Sequence, residues 1–285
     1  MQDAYNLGWK IGSVLTGTAK REILSTYNTE RRPVAQALIK LDKKMSSFYA
    51  DGPSQESQDY QAFRDTFSRF LSGTFVTYEP SALVAASGQA PKMANGNADG
   101  HVGLPEREHT RSASEIRLGQ RMPSHKVVCQ AESNVVHLAQ VLPSNGCWRV
   151  MVFTGDITST SRFEAVQDLG ANLETLAKQY ARPKLVLEVL LIHSGTRDDV
   201  KLLDLHEVYH PWDDTLGWDY LKVFSDDADS LEPGIGSAYE KYGITEEAGC
   251  LVILRPDQHV SYIGTLEEYE APLRFFERVL RPSIV

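Results

Sequence analysis

The chain has 285 residues, 42% of them hydrophobic, enough to bury a core and too many for a disordered chain. Its 29 basic and 38 acidic residues leave a formal net charge of -9, which argues against a general nucleic-acid binder, a class that shows a basic face. No apolar run approaches the roughly 18–20 residues of a membrane span, and no basic stretch followed by an apolar one opens the chain, so a soluble, cytosolic (cytoplasmic) protein is expected. Cys129, Cys147 and Cys250 are odd in number, far apart and without metal-ligand spacing, which suits a reducing compartment.

The chain opens on MQDAYNLGWKIG, which reads as the middle of a helix. Leu7, Ile11, Val14 and Leu15 recur at the spacing of one helical face, and no Ser, Thr, Asp or Asn precedes the pattern as a cap. Gly17 is the expected stop. A second helix follows in YNTERRPVAQALIKLDKKMSSFY, capped by Asn28 or Thr29, with Pro33 near its first turns and an apolar stripe of Val34, Leu38, Leu41, Met45 and Phe48. Phe63, Phe67, Phe70 and Leu71 mark a third. Three such helices either form a small bundle or cover a larger body. Residues 81–111 contain SGQAPKMANGNADGHVG and have no sustained period, which reads as a long loop.

From about His125 the pattern alternates. HKVVCQA, WRVMVFTG and LVLEVLLI read as strands, the last two as continuous apolar runs buried on both faces. SRFEAVQDLGANLETLAKQYA lies between these two as a helix. SAYEKYG is a short helix ended by Gly243, CLVILRPD and HVSYIG form a hairpin around a Pro-Asp turn, and LEEYEAPLRFFERVL closes the chain with Leu266, Tyr269, Leu273, Phe276 and Leu280 on one face. Pro272 is expected to break or kink this last helix. A parallel βαβ unit followed by a hairpin and a closing helix is the thioredoxin-like arrangement, so the fold class is α/β.

Redox chemistry on such a fold needs two thiols one turn apart at a helix N-terminus. FTGDITSTSRF offers none, there is no C-x-x-C, and Cys250 at the start of a strand reads as core. HEVYH (His206–His210) matches the H-E-x-x-H zinc string, but Pro211 follows directly, and in an extended segment the two histidines stand ~13 Å apart, too far for one zinc. They read as loop or strand histidines. PGIGSAYEKYG has a G-x-G before a helix, but Asp226, Asp227, Asp229 and Glu232 precede it and would repel phosphate. No G-x-S-x-G elbow is present.

MQDAYNLGWK followed by YNTERRPVA resembles the flavin-dependent aromatic hydroxylases of the phenol hydroxylase (phenol 2-monooxygenase) group. In that family a Gly-rich turn leads into a helix of the form D-A-x-N-L-x-W-K, matched here by Asp3, Ala4, Asn6, Leu7, Trp9 and Lys10. RVMVF, AYEKYGI and LVILRPDQHVSYIG are similar to its C-terminal thioredoxin-like domain. The resemblance implies a helical remnant of an FAD/substrate domain over 1–80, a long loop over 81–123, and a thioredoxin-like domain lacking C-x-x-C over 124–285.

Family members bind the FAD phosphates with a G-x-G-x-x-G βαβ unit, which this sequence lacks. Gln2 and Asp3 are then at most the edge of the cofactor site, and no catalytic or metal-binding residue carries over. The family is NADPH-using and hydroxylates phenolic rings. The implied function is the C-terminal portion of an FAD-dependent aromatic monooxygenase, not competent alone and holding no stable stoichiometric FAD. The alternative is a non-catalytic dimerisation or interaction module, either a homodimer or a partner of a separate flavin-domain chain. The helical third is expected to be the less stable part.

Overall fold

The computed structural model describes residues 1–50, 58–86, 113–181, 185–227, 235–268 and 270–283. Most of the expected long loop (87–112) lies outside them, as do Asp229, Glu232 and Tyr269.

Seven strands form one mixed sheet: β1 (Lys126–Cys129), β2 (Val135–His137), β3 (Trp148–Gly155), β4 (Leu187–His193), β7 (Val223–Ser225), β8 (Cys250–Leu254) and β9 (Val260–Gly264), in the order β2-β1-β7-β4-β3-β8-β9. A separate ribbon joins β5 (Trp212–Asp213) to β6 (Gly217–Trp218). β3 and β4 run parallel, so the chain must cross over between them, and α4 (Thr160–Tyr180) makes the crossing. β8 and β9 are an antiparallel hairpin on the other side of β3. Successive residues of β3 alternate between two cores: Trp148, Val150 and Val152 on one face, Met151 and Phe153 on the other. α4 and α6 (Glu270–Val279) cover the first face, and α5 (Ala238–Tyr242) covers the second. The unit β3-α4-β4-α5-β8-β9-α6 is the thioredoxin-like arrangement expected from the sequence. Cys250 is fully buried in it.

Four expectations are corrected. β2, β7 and the β5–β6 ribbon have no counterpart in the sequence reading, because two- and three-residue strands are too short to show a period. Pro272 does not break α6, since it stands third in the helix, where its missing N–H would have had no intrahelical partner. The second helix, α2 (Thr26–Ala50), starts before Asn28, directly from a 3-10 turn at Arg21–Ser25, so Pro33 lies well inside it.

The fourth correction concerns α1 (Gln2–Leu15). Its buried residues are Asn6 and Lys10, whereas Ile11 and Leu15 of the expected apolar face are 39% and 81% exposed. A polar socket selects the face that is buried. Trp9 and Val14 pack against the first core, with Trp9 edge-on to Trp148 at 6.0 Å.

α2 and α3 (Gln58–Leu71) meet through Phe48 and Phe63, 5.3 Å apart, and Phe63 stacks with Phe67. Leu38 and Leu71 remain exposed. The helical region is tied to the end of the chain as well: Lys20 N–H donates to the Val279 carbonyl (2.9 Å) and Arg281 N–H to that of Thr18 (3.0 Å). On either side of 87–112, Val76, Tyr78, Val84, Ala113, Ile116, Leu118 and Met122 belong to the second core.

Candidate functional site

Asn6, Trp9 and Lys10 stand at i, i+3 and i+4 on α1 and therefore share one helical face. That face meets Glu30 and Arg31 of α2, Tyr78, and the turn Arg255–His259 that joins β8 to β9. Pro256 occupies the second position of the turn, which is closed by Gln258 N–H on the Arg255 carbonyl (2.9 Å). Gln258 is left-handed at φ 64° and is held by its side chain, Nε2 donating to the Leu142 carbonyl at 2.8 Å. The turn thus presents Arg255 and Asp257 inward on a fixed backbone.

Every carboxylate oxygen of the buried cluster is engaged. The Arg255 guanidinium donates to Glu30 Oε1 (2.7 Å) and Oε2 (3.1 Å), and also to Asp257 Oδ1 (3.0 Å) and Oδ2 (2.6 Å). Glu30 Oε2 further accepts from Lys10 Nζ (2.8 Å) and Asn6 Nδ2 (2.7 Å), and Asp257 Oδ2 from Trp9 Nε1 (3.0 Å). The Arg255 cation lies 5.3 Å from the Trp9 ring and 5.0 Å from that of Tyr78. Lys10 and Arg255 balance Glu30 and Asp257, so the buried charges cancel.

Protonation follows. Burial pushes the Glu30 carboxyl up, but Arg255 and then Lys10 outweigh it and hold its pKa below the usual value. Asp257 is driven well below the carboxylate range in the same way, with burial overcome by Arg255 and then His259. Burial lowers Lys10 to about 8 against the pull of Glu30.

Beside the cluster Gln2, Tyr5, Arg31, Tyr78, Arg121 and His259 line a cavity of about 70 Å³. His259 stacks on Tyr78 at 4.5 Å and faces the Asp257 carbonyl with Nδ1 (3.2 Å), while its buried Nε2 has no hydrogen-bond partner among the described residues.

Gln2 lines this cavity, and Asp3 is paired with Arg31, which also lines it. Arg31 donates to Asp3 Oδ1 (2.5 Å) and to Gln2 Oε1 (3.4 Å), and Gln2 Nε2 donates to the Leu71 carbonyl (3.1 Å). Both side chains are therefore committed within the chain. Among the described residues no side chain caps the first turn of α1.

His206 and His210 of the H-E-x-x-H string flank a 3-10 turn and make local bonds, His206 Nδ1 accepting from Val208 N–H (3.2 Å) and His210 Nε2 donating to the Leu205 carbonyl (3.0 Å). Among the described residues no His, Cys, Asp and Glu group is arranged to hold a metal, and no helix is long and apolar enough to cross a membrane.

The strings DAYNLGWK, NTERRP and RPDQH stand out in the sequence, but their meeting does not. The available signal is a lysine and an arginine inside otherwise apolar surroundings, each needing a buried counter-charge.

Comparison with known proteins agrees with this layout. Residues 76–284 match the phenol hydroxylase C-terminal dimerisation domain, and residues 1–42 match an FAD binding domain. A phenol 2-monooxygenase of Aspergillus fumigatus is 35% identical over 280 residues, covering 97% of this chain and 43% of its own length. A 3-hydroxybenzoate 4-monooxygenase of Comamonas testosteroni is 28% identical over 297 residues, covering 99% of this chain and 43% of the relative. The chain thus spans less than half the length of these curated relatives. A solved ternary complex of aklavinone-11 hydroxylase with FAD and aklavinone superposes with a TM-score of 0.50 at 18% identity, over 97% of this chain and 38% of that one. The chain belongs to the phenol hydroxylase C-terminal dimerisation domain family, and the segment 1–42 that precedes this domain is similar to an FAD binding domain.

Proposed function

We propose that the chain works as the C-terminal portion of an FAD-dependent, phenol-type monooxygenase, supplying the helix that runs behind the flavin site together with a self-associating thioredoxin-like domain. The observation that carries this reading is the continuity of the two matched segments, 1–42 and 76–284, through one buried polar cluster. FAD is the family's cofactor. Its fit to the residues present is partial: the first turn of α1 offers uncapped N–H groups, and Arg31 neutralises Asp3 there, which suits an electron-rich edge of a bound group. Gln2 and Asp3 contribute through that turn, since their side chains are already bonded. The sequence contains no G-x-G-x-x-G string to cradle a dinucleotide, so the phosphate site belongs to a portion outside it.

When bound, FAD supplies the oxygen chemistry of the family, with NADPH as reductant and an aromatic ring as substrate. This chain's part is to hold α1 and to pair subunits. We propose the divisions 1–80, 81–123 and 124–285 for the helical remnant, the loop and the thioredoxin-like domain, and three unpaired cysteines favour the cytoplasm. Light scattering after gel filtration, with absorbance at flavin wavelengths, tests the reading. A homodimer, about twice 31.8 kDa and without flavin colour, is expected. A strictly monomeric species at high concentration overturns self-association, and a yellow protein overturns the assignment of the phosphate site elsewhere.

A further inference from the structure

We propose that the Arg255–His259 turn is a register lock on α1, and that Arg255 and Asp257 are positioning residues through which the C-terminal domain fixes where this helix lies. Its consequence for a flavin rests on the proposed function above. The lock itself does not.

Of the apolar stripe of α1, Val14 packs against the first core while Ile11 and Leu15 face solvent, so apolar packing alone does not fix the helix. The residues it buries completely are Asn6 and Lys10, and both bond to Glu30. Glu30 is clasped by Arg255, and Arg255 by Asp257, which also takes the Trp9 indole N–H. An apolar joint tolerates sliding, since one methyl contact replaces another. This joint does not. A shift of α1 by one residue, a rise of about 1.5 Å, strands Lys10 or Trp9 and leaves a buried carboxylate oxygen short of a donor.

Buried charge is a poor source of stability compared with apolar packing, and fixing a register is its best-attested use. The lock is also built from both sides of the molecule. Asn6, Trp9, Lys10 and Glu30 come from the segment matching the FAD binding domain, Arg255 and Asp257 from the dimerisation domain. The dimerisation domain therefore has a second task, holding the helix of its neighbour, which is separable from self-association.

The test uses the whole 285-residue chain, without flavin. Amide hydrogen exchange is followed by mass spectrometry in wild type, Arg255→Met and Trp9→Phe, with molecular mass measured in parallel. Trp9→Phe removes one hydrogen bond to a carboxylate and keeps an aromatic ring, so it reports even where Arg255→Met does not fold. Exchange in residues 2–15 is expected to rise about tenfold or more in each variant, with β3 and β4 still protected and the mass unchanged. Unchanged protection of α1 in Trp9→Phe overturns the proposal, and so does an equal loss throughout the sheet, which would mark a general packing role. Flavin absorbance does not enter, so the reading of the chain as a monooxygenase portion stands or falls separately.

Discussion

Arg149 and Glu188 face each other across the parallel pair β3–β4, in register, with Nε 2.9 Å from Oε2 and both side chains sealed from solvent. The arginine is the single basic residue of WRVMVFTG, and the glutamate the single acidic residue of LVLEVLLI. Arg149 also donates to the Cys147 and Pro143 carbonyls and to Asn145 Oδ1, so its donors are spent locally. Removing Arg149 leaves the buried Glu188 carboxylate with the more distant Lys222 Nζ, at 3.8 Å, as its counter-charge. Arg149→Met is expected to cost about 3–5 kcal/mol in urea unfolding. The double variant Arg149→Met with Glu188→Leu is expected to be more stable than Arg149→Met alone, because both charges leave together. A double variant at least as unstable as the sum of the two single ones would refute this account.

That pair shows what is legible in the sequence. Continuous apolar runs identify β3 and β4, and an intervening amphipathic stretch identifies α4, because period and length are local signals. The pairing of Arg149 with Glu188 depends on strand register, which no local signal carries. The same holds at the α1 socket. Its helical period is plain in the sequence, but hydrophobicity assigns the buried face to Leu7, Ile11, Val14 and Leu15, whereas the partner surface, with Glu30 and Arg255, is polar. The strings that carry the family resemblance, around Trp9, Glu30 and Asp257, turn out to be the residues of one contact. Gln2 and Asp3, singled out by their place before the helix, lie at its rim with their side chains bonded to Arg31 and Leu71.

Gly119 places Tyr78 in this contact. It has φ 75°, its carbonyl accepts the Tyr78 N–H at 2.9 Å, and a Cβ there would lie 2.0 Å from the Tyr78 carbonyl oxygen. Tyr78 in turn accepts from Arg31 through its hydroxyl at 3.0 Å. Gly119→Ala is expected to destabilise by more than about 2 kcal/mol, from a strained φ added to a backbone clash. Gly12, exposed on α1 with nothing within 4 Å of where a methyl would stand, is the control: Gly12→Ala is expected to stabilise by about 0.5–1 kcal/mol. Thermal melts of the two variants should move in opposite directions.

His193 makes the fold sensitive to mild acid. It is fully buried at the end of β4, with Nδ1 3.1 Å from the Gly195 carbonyl and Nε2 3.1 Å from Gln130 Oε1. Burial lowers its pKa from 6.5 to about 4, against the opposing pull of the Gly195 carbonyl, Asp227 and Asp156. Between these values the unfolded chain binds the proton and the folded chain does not, so stability is complete above pH 6.5 and falls as the pH drops toward 4. The loss attributable to His193 is about 3 kcal/mol at most. His125 is lowered by burial too and acts in the same direction. Glu30 and Asp257, with depressed values, contribute stability that is lost only at lower pH. Urea midpoints measured from about pH 7 to 4.5 should fall less steeply in His193→Gln than in wild type. Parallel curves would exclude His193 as the group responsible.

Lys10 acts at the other end of the scale. Its folded pKa is about 8, below the ordinary 10.5, because burial outweighs the attraction of Glu30. The unfolded chain therefore holds one more proton between pH 8 and 10.5, and the Lys10 contribution to stability rises with pH across that window. The rise has a ceiling of about 3 kcal/mol. Lys10→Met has no such group, so the stability of wild type relative to this variant should increase from about pH 7.5 to 10. The electrostatics of the lock give a physical reason: Arg255 stays charged on Glu30 throughout, and neutral Lys10 still donates to Asn6 Oδ1 or Glu30 Oε2. α1 should accordingly keep its hydrogen-exchange protection at about pH 9 once the intrinsic rates are corrected for pH. Selective opening of residues 2–15 at that pH would mean that the Lys10 charge, rather than the Arg255–Asp257 turn, holds the helix.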